Sequence, residues 1–323
     1  MVDKTSYPGG MRRALTSAAL AVLLLGACAS DDAPVTGVAD GVDRQLGDFG
    51  PDERGGADDG SEPGQLEATS DEHATDDQTQ EPPVGQEPLA VARPDWLGTR
   101  ELPRRGDGFG QRQPTPEELV DRRLPPPEHL PPPSSDGFEA TIVDVPEEVL
   151  ERSTWRSSCP VGRDELRYVT VTFWGFDDRP HTGELLVHHS AAEDLVGVFE
   201  ALYEARFPVE EMRIVTAAEL DAPPTGDGNN TTAFVCRPGV GGATWSEHAF
   251  GLAVDLNPFH NPYVRGDLVL PELAGAYLDR DDHRPGMIQP GDVVTESFAA
   301  IGWGWGGTWR SSTDWMHFSA NGR

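Results

Sequence analysis

The sequence predicts an α+β domain, a small antiparallel sheet with packed helices, from three observations. First, "ELRYVTVTFWGF" (165–176) alternates with the period of a half-buried strand, and "GELLVH" (183–188) follows a turn containing Asp-Asp-Arg-Pro, so the two read as a hairpin. Second, residues 191–206 place Leu195, Val198, Phe199, Leu202 and Tyr203 at helical spacing, with Ser190 as candidate N-cap, so this helix should pack on the sheet. Third, "GLAVDLN" (251–257) reads as a further strand region, 292–301 as a capped helix, and "GWGWGG" (302–307) as a Gly-rich turn into the last segment.

The 323 residues divide unevenly. Residues 1–27 carry Lys4, Arg12 and Arg13 and then the apolar run "ALTSAALAVLLLGA", which is the charged and apolar pattern of a secretory signal and is too short for a permanent membrane span. The run ends "LLGAC" and resembles a bacterial lipobox, which implies lipidation of Cys28 and anchoring in the lipid bilayer. The expected location is therefore outside the cell, lipid-anchored to the outer face of the bacterial cytoplasmic membrane.

Residues 28–136 are rich in Pro, Gly, Asp and Glu with few aromatics, a composition that buries too little apolar surface to offset chain entropy, and they are expected to form a disordered stalk. Within it, residues 31–90 hold 17 acidic residues against 2 arginines, so half of the formal charge of −30 belongs to the tether. The stretch "LPPPEHLPPP" (124–133) should be semi-rigid polyproline II. The folded domain is expected over 137–323, as a monomer. A net-negative chain without a basic patch excludes nucleic acid as a partner. Cys159 and Cys236 fall in the exported domain, where the compartment permits a disulfide between them.

Catalytic zinc takes three protein ligands of the His and carboxylate type and keeps one position open for a water it acidifies. The stretch "SEHAFGLAVDLNP" (246–258) offers His248 and Asp255, and "TDWMHFS" (313–319) offers His317 with Asp314 three residues before it. A carboxylate at that place suits the general acid/base role, which is assigned to Asp314.

These residues carry a resemblance. Ser246, His248, Gly251, Ala253 and Asp255 match S-x-H-x-x-G-x-A-x-D, and Asp314-Trp315-Met316-His317 matches an acidic residue, two residues, then His. Together they resemble the VanY-type D-alanyl-D-alanine carboxypeptidase family of zinc peptidases over roughly 159–320. The resemblance implies Zn2+ held by His248, Asp255 and His317, a peptidoglycan stem peptide as substrate, and the α+β fold shared with the hedgehog signalling domain. Arg237, in "NNTTAFVCRPGVGG" (229–242), matches the segment that contributes a substrate-pocket arginine and is the second candidate catalytic residue. An Asp in the second motif, followed by "HF", is similar to the L-alanyl-D-glutamate endopeptidase branch. Removal of a terminal D-alanine is the leading expectation, with the endopeptidase cut and a non-catalytic zinc-containing wall-binding module as alternatives.

Other polar residues read as bystanders. Ser246 should orient a neighbour, and Glu247 should point away from His248 into solvent. His188 and His189 should not bind metal, and His260 and His283 should be exposed loop residues. The tryptophans at 303, 305, 309 and 315 fit either a substrate groove or core packing.

Overall fold

The computed structural model describes residues 92–323; the signal, Cys28 and the stalk as far as residue 91 lie outside the described residues. The expected hairpin is the centre of the first sheet, in which β1 (Ala140–Asp144), β2 (Leu166–Trp174) and β3 (Pro180–His188) run antiparallel in that order. Helix α1 (Glu147–Arg152) lies between β1 and β2 in the chain. Helix α2 (Ala192–Glu204) turns Leu195, Val198, Phe199 and Leu202 onto Val169, Val171, Phe173, Leu185 and Val187 of the hairpin. Each such side chain gains about 1.5–3 kcal/mol on burial. Ser190 does not cap α2: the N-cap position is Ala191, and the Ser190 hydroxyl pairs with His188 Nδ1 at 2.7 Å.

The remaining elements are short. Strands β4 (Glu211–Met212) and β5 (Asn230–Thr231) pair in parallel, with α3 (Ala217–Leu220) between them in the chain. The next elements are β6 (Ala253–Asp255), β7 (Tyr263–Arg265), β8 (Leu268–Leu270), α4 (Val293–Ala300), β9 (Gly304–Trp305), β10 (Thr313–Asp314) and β11 (His317–Ser319). They build two antiparallel sheets, β6-β11-β9 and β10-β7-β8. The class is α+β. Helix α4 begins where its sequence predicts, with the Asp292 side chain accepting from Thr295 N at 2.9 Å. The "GWGWGG" stretch holds β9 as well as a turn. One apolar core runs from the hairpin to Val254, Leu256, Phe298 and Phe318, so the strands described below are braced by the first sheet and its helix.

The stalk boundary expected at 136 needs correction. Residues 92–136 hold almost no regular structure, yet Leu102, Leu119 and Leu124 are buried with Phe259, Leu273, Tyr277 and Met287. Arg122, 1 % exposed, makes a two-pronged ion pair with the buried Glu210 at 2.6 and 2.7 Å and donates to the Asp227 carbonyl. Composition hid this arm because a few apolar anchors suffice for a Pro-rich chain, which has little backbone freedom to lose on docking. Cys159 and Cys236 are joined, their Cα atoms 5.9 Å apart. Among the described residues no helix is long and apolar enough to cross a membrane.

Candidate metal centre

Strand register brings the motif residues together. In the β6–β11 pair His317 lies opposite Asp255 and Phe318 opposite Val254. Side chains alternate along a strand, so Val254 and Phe318 enter the core while Asp255 and His317 share the other face. His248 arrives from the 3-10 turn Glu247–Phe250 that precedes β6, and Ser246 caps that turn through its hydroxyl on His248 N, the orienting role its sequence position suggests. The turn ends at Gly251, whose φ of +70° is left-handed; a Cβ there would also meet His188 N at 2.6 Å. The glycine of the motif thus lets the chain reverse against β3.

The three residues converge closely. His248 Nε2 is 3.2 Å from His317 Nδ1 and 3.1 Å from Asp255 Oδ1, and His317 Nδ1 is 3.0 Å from the same Oδ1. Their candidate ligand atoms all lie within 4.8 Å of one another, and both imidazoles are buried. Each ring has its other nitrogen on a carbonyl: His248 Nδ1 on Ala233, His317 Nε2 on Arg323 at 3.1 Å. Those bonds place a proton on the outer nitrogen of each ring and leave the inner nitrogen facing the common centre, where it donates to Asp255 when protonated and presents a lone pair to an ion when not. Burial pushes the Asp255 carboxyl up, but attraction from His248 and hydrogen bonds from both imidazoles outweigh it and hold its pKa far below the usual range. Burial lowers His317, and Asp255 more than reverses this. Two imidazoles and an ionised carboxylate aimed at one point are a donor set that suits Zn2+.

Asp314 stands beside this centre on β10, paired with Tyr263 of β7. Gly306 makes room for it, since a Cβ at that position would fall 2.6 Å from the Asp314 carbonyl oxygen. Its Oδ1 is buried without a hydrogen-bond partner among the described residues. Burial, and then the charge of Asp255, push its pKa up to about 7, against smaller pulls from His317 and Arg237.

A cleft of about 410 Å³ exposes these groups, with Arg237, Trp245, Glu247, Tyr263 and Trp309 also in its wall. The Arg237 guanidinium donates to the Pro238 carbonyl at 3.1 Å. Glu247 does not point away as an extended strand would require: it sits in the 3-10 turn and lines the same cleft. Of the four tryptophans only Trp309 reaches the cleft, its ring 5.3 Å from that of His317. Trp303 is core, Trp305 packs on it, and Trp315 lies against the Arg280 guanidinium. His260, expected in solvent, is fully buried between Asn229 and the Arg122 carbonyl, while His283 is exposed. His188 and His189 stack on one another, away from the cleft.

A second cleft, about 580 Å³ and lined by Arg93, Glu211, Arg213 and Glu219 among others, shares no residue with the first. Several of its charges are paired, as in Arg213–Glu211 and Arg213–Glu219, and it holds no cluster of metal-type ligands. Sequence reading missed the Ala233 and Arg323 carbonyls because backbone acceptors leave no trace in residue identity.

Residues 240–320, about a quarter of the chain, match the model of a peptidase family described as D-alanyl-D-alanine carboxypeptidase. No curated protein and no solved structure matches the chain. The matched stretch contains His248, Asp255, Asp314 and His317, so the similarity to that carboxypeptidase family covers all four motif residues.

Proposed function

We propose that the protein is a zinc-dependent peptidase that hydrolyses peptidoglycan stem peptides, foremost by removing the terminal D-alanine. The observation that carries this reading is the Asp314 carboxyl, its Oδ1 buried and unpartnered among the described residues, beside a convergent His/Asp/His set. His248, Asp255 and His317 would hold the ion, which when bound acidifies water and polarises a carbonyl. Asp314 takes the proton of the attacking water and passes it to the leaving amine nitrogen. The new C–O bond forms and the peptide C–N bond breaks, giving a carboxylic acid and an amine, between which the second proton of the water passes to leave a carboxylate and an ammonium. A carboxyl whose pKa is pushed up to about 7 can both accept and return that proton near neutral pH. Arg237, at the cleft wall, offers paired donors to a substrate carboxylate or carbonyl oxygen.

An internal cut between L-alanine and D-glutamate is the second reading, favoured by Asp rather than Glu at 314 and by Phe318 after His317. The order of the two motifs on β6 and β11 supports the hedgehog-type peptidase arrangement as the fold. The apolar run ending at Cys28 supports a lipid tether at the outer face of the cytoplasmic membrane, which would hold the domain near its polymer. Mass analysis of a pentapeptide-stem muropeptide after incubation with the zinc-loaded chain separates the readings. Loss of one D-alanine identifies the carboxypeptidase and a cut after L-alanine the endopeptidase. An intact substrate, unchanged alike by wild type and Asp314→Ala, contradicts both and favours the binding module.

A further inference from the structure

Five charged side chains line the cleft: Arg237, Glu247, Asp255, Asp314 and, exposed at its rim, Arg323. Asp255 and Asp314 have tasks at the metal centre, and together they match the charge of one divalent ion. Arg237, Glu247 and the rim Arg323 remain, and of these Arg237 and Glu247 are an opposite pair on neighbouring stretches of backbone, since Ser246 N donates to the Arg237 carbonyl at 3.2 Å. They do not neutralise each other. Arg237 reaches only the Pro238 carbonyl, and among the described residues the Glu247 carboxylate has neither an ion-pair nor a hydrogen-bond partner. Glu247 is nonetheless half-buried, and its backbone is held in place because its 3-10 turn is capped by Ser246 and its carbonyl accepts from Leu252 N at 3.2 Å. A carboxylate that gives up part of its hydration without a partner in the fold is suited to a cation arriving with the ligand.

We propose that Glu247 is a specificity-determining residue that receives an ammonium group of the substrate, so that the cleft selects peptides carrying both a carboxylate and a free side-chain amine. The inference rests on the peptidase reading, in which the stem peptide supplies these groups through its C-terminal carboxylate and its diamino acid. The exposed Trp245, immediately before Ser246, adds an apolar wall for the methylene chain that bears the amine.

The test uses two synthetic pentapeptides, L-Ala-γ-D-Glu-L-Lys-D-Ala-D-Ala with the α-amine acetylated, one with the lysine amine free and one with it acetylated as well. Each is titrated calorimetrically at low salt into the zinc-loaded full chain carrying Asp314→Ala, which prevents turnover. The free amine should bind about tenfold more tightly than the acetylated peptide. Adding Glu247→Gln should bring that ratio close to one, and Glu247→Asp should restore part of it. Equal affinity in the Asp314→Ala parent, a tenfold preference that survives Glu247→Gln, or no binding of either peptide overturns the proposal. Turnover of the same peptides by the unaltered chain is measured separately. Its absence counts against the peptidase reading, while the titration decides the role of Glu247.

Discussion

Asp314 was recognisable from its place three residues before His317, but the surroundings that suit its carboxyl to the proposed proton transfer were not. Its burial, the orphaned Oδ1 and the room made by Gly306 are properties of β10 packed on β7, which residue spacing does not encode. Asp314→Asn is nearly isosteric and leaves the three ligand side chains in place. It should lower turnover by about 10²–10⁴-fold with zinc content unchanged, as checked by kinetics beside metal analysis. Glu247 was misjudged because strand alternation was extended into what is a 3-10 turn. His260 was misjudged because its partners come from residues 122 and 229, far away in the chain. Burial depresses its pKa to about 4, so between the ordinary value of 6.5 and 4 the unfolded chain binds the proton that the folded chain refuses. The stability due to neutral His260 is complete above pH 6.5 and is lost as pH falls through that window, at most about 3 kcal/mol. Denaturant titrations at pH 7 and pH 4.5 should show a larger acid loss for wild type than for His260→Gln.

The strand pair β6–β11 was half legible. "GLAVDLN" alternates clearly enough to be read as a strand, whereas the three residues of β11 are too few for any period to appear. What the sequence could not state is the register, and it is the register that sets His317 opposite Asp255. The arm at 92–136 was illegible for a different reason: its anchors are scattered among prolines and match no period. Arg122→Ala should destabilise the domain by about 3–5 kcal/mol, since it leaves Glu210 buried without its main partner. Deleting residues 92–136 should expose Phe259 and Tyr277 and give a protein that aggregates or fails a thermal-melt assay. The disulfide closes a separation of 77 residues and ties down the segment whose Ala233 carbonyl holds His248. Reduction should cost about 4 kcal/mol of stability, read from denaturant curves with and without reductant.

At the scale of the molecule, the first sheet and α2 act as a brace, the short C-terminal strands hold the candidate metal ligands Asp255 and His317, and the arm closes the side of the domain behind the loop that follows Asp255. The α+β class was evident from the hairpin and α2 because both are long and strongly periodic. The three small sheets beyond them were not, because strands of two or three residues are defined by their partners. In the proposed function the His248, Asp255 and His317 cluster makes this chain a zinc peptidase acting on stem peptides. The most direct measurement is the rate of D-alanine release from a pentapeptide stem by the full chain, before chelation, after it, and after zinc is restored. Release should stop on chelation and return with zinc. Release that continues at the same rate in the metal-free protein would contradict the proposed function.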